Sequence, residues 1–71
     1  MVVKYAFAPV TGLYSSSSGG PWLQLGNQGW FRCNLSTMLT VAADARRAGT
    51  LAVVGYDASS GSRDVFEIYT F

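Results

Sequence analysis

Residues 34–49, NLSTMLTVAADARRAG, decide how this chain folds. Leu35, Met38, Leu39, Ala42 and Ala45 recur at three- and four-residue spacing, while Thr37, Thr40, Asp44 and Arg47 fall on the other side, the period of an amphipathic helix. Asn34 or Ser36 is placed to accept from the free N–H groups of the first turn. Arg46 and Arg47 suit the negative end of the helix dipole, and Gly49 suits a left-handed C-terminal cap. Working outward, the period changes to that of strands. Upstream, residues 2–14 are rich in β-branched and aromatic side chains, and Tyr5 and Phe7 alternate against Lys4 and Ala6. Pro9 has no ladder donor and Gly12 no side chain, so this strand is expected to bend or bulge between them. The serine-glycine run 15–21 is a turn. It leads to a short strand at Trp22–Leu25, a hairpin connection at residues 26–29 and a third strand at Trp30–Cys33. Downstream, residues 51–56 form a buried strand, 57–64 a polar loop, and 65–71 a last alternating strand.

The predicted order is therefore β-β-β-α-β-β, mainly β with one helix, in a single domain over residues 1–71 without repeat or linker. An open two-layer sandwich and a closed five-stranded barrel both fit. Closure is favoured because several short edges need protection in so small a domain. Five strands with the helix between the third and fourth is the order of the oligonucleotide/oligosaccharide-binding (OB) fold, so a small five-stranded OB-like barrel is the expectation.

Composition points to association. The chain is 49% hydrophobic and 13% charged, against a usual charged share of roughly 25%, which excludes disorder and leaves little charge to solvate a monomer surface. A domain of this size commonly needs a disulfide, a metal or a partner. The chain has one cysteine, Cys33, and no histidine, so it has no internal disulfide and no thiol-imidazole zinc pattern. Self-association remains, and no cofactor is expected. The net charge of +1, with cations scattered at Lys4, Arg32, Arg46, Arg47 and Arg63, supplies no basic stripe and disfavours nucleic acid. No run approaches the ~20 apolar residues of a membrane span, so no membrane insertion is expected. The N-terminus lacks the pattern of a signal segment, which points to a cytoplasmic product of the chain as written, or a secreted one if a signal segment was removed.

The string Pro9-Val10-Thr11-Gly12-Leu13-Tyr14, the serine-glycine loop, Trp22-Leu23-Gln24-Leu25, a cysteine closing the third strand, Met38-Leu39-Thr40-Val41-Ala42-Ala43-Asp44-Ala45, and Ala48-Gly49 leading into Val53-Val54-Gly55-Tyr56-Asp57 carry a family resemblance. Over most of its length the chain resembles small bacterial proteins related to the B subunits of subtilase-type cytotoxins. The resemblance implies an OB barrel whose helix lines a homo-oligomer, pentameric in the toxins, with glycans bound on the outer surface. The toxin subunits carry paired cysteines where Cys33 stands alone. They are also longer, so their sugar-contacting positions do not carry over.

Catalysis lacks its usual parts. Without histidine the commonest general base is missing and no Ser-His or Cys-His pair can be assembled. Asp44 stands beside Arg47, Asp57 and Asp64 bracket a turn, and Glu67 alternates outward near Arg63, so these acids read as solvated groups. Cys33 reads as a small buried hydrophobe, with Arg32 on the opposite strand face. Ten aromatic residues are many for one small core and favour a non-enzymatic binding module, toxin-B-subunit-like, for a glycan or protein. The candidate ligand surface combines Tyr14, Ser16, Ser17 and Trp22 with Asp57 and Arg63, against the plainer reading of two solvated turns. The candidate oligomer interface is Val41, Ala45, Ala48 and Phe71. Two alternatives stand beside this. One is a single-stranded nucleic-acid-binding OB domain using Trp22, Trp30 and Arg32; the other is a purely structural assembly subunit.

Overall fold

A computed structural model describes residues 1–17, 20–33 and 35–70. The elements run β1 (Val3–Tyr14), β2 (Trp22–Leu25), β3 (Trp30–Cys33), α1 (Ser36–Ala48), β4 (Leu51–Asp57) and β5 (Asp64–Thr70), the predicted order. The five strands close into a ring, β1-β2-β3-β5-β4. One long strand makes closure possible. The first part of β1 pairs with β4, from Val3 opposite Asp57 to Pro9 opposite Leu51, and its last part pairs with β2, from Val10 opposite Leu25 to Tyr14 opposite Trp22. The register shifts between Val10 and Gly12, so the bulge falls where proline and glycine weaken the ladder.

Inside the ring, Leu23, Leu25, Phe31, Cys33, Val54 and Val65 are fully buried. The alternation of β1 turns its small side chains inward: Ala6, Ala8 and Val10 are buried, while Tyr5 and Phe7 face out. Alanines on β1 and on α1 (Ala42, Ala45) belong to one core, which lets the helix lie close to the sheet. Burial pushes the Cys33 thiol up to about 11, as expected of an inert buried cysteine.

The helix departs from the sequence reading at its start. Leu35 is the N-cap, in extended conformation, and among the described residues no side chain caps the first turn. Ser36 is already helical, and Asn34 lies outside the described residues. Leu35, expected in the core stripe, is exposed, because the chain has not yet entered the helical period there. The C-terminus is as expected, with Gly49 at φ 71 and its N–H turned back to the carbonyls of Ala45 and Arg46. Ala45, expected at an oligomer interface, is 2% exposed and packed in the core of its own chain. Val41 is half-buried and Ala48 exposed, while Phe71 lies outside the described residues.

The weakest seam is between β3 and β5, which among the described residues is a parallel pairing of Arg32 with Asp64 and Cys33 with Val65. Arg63 reinforces it. Its Nη2 donates to the Trp30 carbonyl at 2.9 Å, and its guanidinium lies 4.1 Å from the Phe31 ring centroid. Glu67 accordingly does not meet Arg63; it accepts a 2.7 Å hydrogen bond from the Tyr5 hydroxyl.

Candidate ligand cleft

Strand register, rather than sequence proximity, assembles the site. Tyr14 stands opposite Trp22, Trp22 opposite Arg32, and Arg32 opposite Asp64, so four residues from four strands form one row across the outer face. Two residues along, on the same face, Gly12 stands opposite Gln24 and Gln24 opposite Trp30. The rings of Tyr14, Trp22 and Trp30 line an open cleft of about 360 Å³. Tyr14 and Trp30 are 53% and 41% exposed, so two of the three rings offer substantial surface to a guest.

Two glycines shape this face. A Cβ at Gly12 would stand 2.9 Å from Gln24 Oε1 and 3.0 Å from Trp30 Cη2, so the missing side chain is what lets the indole reach across to β1. A Cβ at Gly20 would stand 2.8 Å from Arg32 Nε, so the guanidinium lies against the loop between β1 and β2. Arg32 forms no ion pair among the described residues, since the one ion pair there joins Arg47 to Asp44 on the helix. Asp64, its neighbour in the row, instead accepts from the Ser62 hydroxyl at 2.7 Å. Gln24 Oε1 accepts from the Thr11 hydroxyl at 3.1 Å, which holds that amide on the same face, in the position opposite Trp30.

Of the expected ligand residues, Tyr14 and Trp22 meet in the cleft, and Ser16 and Ser17 follow Tyr14 in the adjoining loop. Arg63 is not among the residues lining the cleft; its guanidinium is held by the Trp30 carbonyl and lies over Phe31. Asp57 is elsewhere. It stands opposite Val3 at the start of β1, and its carboxylate accepts from the Ser59 hydroxyl and N–H and from the Val2 N–H. The Ser59 hydroxyl, first among these, holds it below the usual carboxylate range. Gln24 and Gly12 are absent from the expected ligand residues, and Trp30 was expected only in the nucleic-acid alternative, with Trp22 and Arg32. Their common signal was the alternation of two short strands around a four-residue connection, which puts Gln24 and Trp30 side by side once the hairpin register is known.

A second groove of about 270 Å³ runs between α1 and β5, lined by Leu35, Thr37, Met38, Val41, Glu67 and Ile68. Among the described residues, no group of three or more metal-ligating side chains is present, and no helix is long and apolar enough to cross a membrane. No family model, curated protein or solved structure matches the chain.

Proposed function

We propose that this chain is a non-enzymatic binding module of the OB type, related to the B subunits of subtilase-type cytotoxins, that works as a homo-oligomer and holds a glycan on the cleft of Tyr14, Trp22 and Trp30. The convergence of three rings on one outer face carries this reading. Indole and phenol rings offer apolar area with a polar handle, the combination that stacks on the C–H face of a sugar and bonds its hydroxyls. The outer face of the second and third strands, with the adjoining loop, is also where OB folds take their ligands. The acids are dispersed, Asp44 with Arg47, Asp57 with Ser59, Asp64 with Ser62 and Glu67 with Tyr5, which supports binding over acid-base chemistry.

One observation favours a second ligand class. Arg32, unpaired among the described charges, is the cross-strand neighbour of Trp22, an arrangement suited to a stacked base and its phosphate. A glycan array and a titration with labelled single-stranded oligonucleotides at two salt concentrations separate the two. Glycan binding that is lost in Trp22→Ala and insensitive to salt supports the proposal. Salt-sensitive oligonucleotide binding without glycan binding overturns it in favour of the second reading.

A further inference from the structure

The face of the ring away from the cleft is also apolar. In β1, Tyr5, Phe7 and Pro9 point outward; in register beside them lie Gly55, Val53 and Leu51 of β4, and Glu67 and Tyr69 of β5. Phe66, displaced outward at the bulge beside Gly55, meets Tyr5 edge-on with ring centroids 6.4 Å apart. A Cβ at Gly55 would come within 2.9 Å of both rings, so the two close over a glycine floor. Between the rows of Phe7 and Tyr69, Val53 is reduced to 7% exposure.

We infer that this outer face of β1, β4 and β5 is the surface through which one copy of the chain packs against a second copy. The inference rests on the homo-oligomeric reading above and moves its contact from the helix to the sheet. Area is the first reason. Tyr5, Phe7, Leu51, Phe66 and Tyr69 are 58, 52, 37, 40 and 49% exposed. At roughly 200 Å² a ring they present on the order of 500 Å², so two copies face to face hide about 1,000 Å² from these residues alone, the lower limit of a specific interface. Charge is the second. The one ionisable acid on the patch, Glu67, accepts the Tyr5 hydroxyl but keeps its charge, and no cation lies in these rows, so two copies must pack with their Glu67 carboxylates apart and the patch offers no cation to an acidic partner. Backbone is the third. β4, the middle strand of this face, is paired on both sides, so an extended peptide cannot add to it and contact over its centre is between side chains. The helix is a poorer candidate, because Ala45 is in the core and Thr37, Thr40, Asp44, Arg46 and Arg47 occupy its exposed side.

Sedimentation velocity of the full chain across micromolar to submillimolar concentrations tests this, with Tyr69→Lys and Val41→Glu alongside and circular dichroism as the check on folding. The expected result is a self-associating chain whose dissociation constant rises by about 30-fold or more in Tyr69→Lys, the effect of losing a central contact, and is little changed in Val41→Glu. Dissociation by Val41→Glu but not by Tyr69→Lys overturns the assignment while leaving the oligomeric reading intact; a monomer at every concentration removes both. Hydroxyl-radical footprinting of the unmodified chain gives the same decision without a variant. Tyr5, Phe66 and Tyr69 should become protected as concentration rises, and constant reactivity at all three overturns the inference.

Discussion

Arg63 is the non-glycine residue at positive φ among the described residues, at 52°, and replacing it by alanine and by glycine separates a clamp from a ligand residue. The left-handed conformation costs an L-residue roughly 1–2 kcal/mol. The guanidinium offsets this twice. Lying 4.1 Å from the Phe31 centroid, it is worth about 1 kcal/mol as a cation–π contact. Its 2.9 Å hydrogen bond to the Trp30 carbonyl is worth about 1–2 kcal/mol for a charged donor. Arg63→Ala loses both and keeps the strain, for a destabilisation of about 2–3 kcal/mol. Arg63→Gly loses both and relieves the strain, so it should be about 1 kcal/mol less harmful. In a domain of this size each kcal/mol moves the melting midpoint by roughly 4–8 °C. Thermal unfolding followed by circular dichroism should therefore order the three proteins as wild type, then glycine, then alanine, with alanine about 10–20 °C below wild type. Ligand affinity, measured below the lowest midpoint, should change little. An alanine variant as stable as wild type refutes the clamp, and so does a glycine variant less stable than alanine.

Gly12→Ala should leave the fold intact, since Gly12 is not at positive φ and the nearest atoms in the way are the Gln24 amide oxygen and the far edge of the Trp30 indole, with the Gln24 Cβ next at 3.2 Å. The indole has to swing by a few degrees, so the midpoint should move by no more than about 5 °C while the near-ultraviolet tryptophan signal changes and cleft affinity falls; unchanged affinity with a changed signal would show that the glycine does not serve the cleft. Cys33 supplies a pH test. Its thiol ionises at about 11 in the folded chain against an ordinary 9.0, so the Cys33 contribution to stability should be constant below pH 9 and decline as pH rises between those values. Labelling by a thiol reagent at pH 8 should accordingly wait on unfolding, and fast labelling of folded protein would contradict the burial.

Most of the fold was legible because burial follows period. Met38, Ala42 and Ala45 recur at helical spacing and are buried, and the bulge falls beside Pro9 and Gly12. What period alone did not reveal was the direction of β1. Its large rings point outward and its alanines inward, because the helix must approach a ring too narrow to hold phenylalanine at every inward position. The cleft was half legible. Tyr14 and Trp22 flank one loop and are neighbours in both sequence and space, whereas Trp30 and Gln24 join them only through hairpin register, which a one-residue slip would reverse. Asp57 was misplaced for a related reason. A polar residue beside a turn resembles a ligand contact until its carboxylate is seen closing the turn itself, on Ser59.

Trp22 and Trp30 are the chain's two tryptophans, and both line the cleft, so intrinsic fluorescence reports on the proposed site without a label. The most direct measurement is a fluorescence titration with the glycan that an array selects, on wild type and on Trp22→Ala. The account predicts a saturable change in tryptophan emission and an affinity loss of about 10-fold or more in the variant, the effect of removing one stacking ring. A glycan that binds with no change in emission and with equal affinity for the variant would place the ligand elsewhere on the molecule.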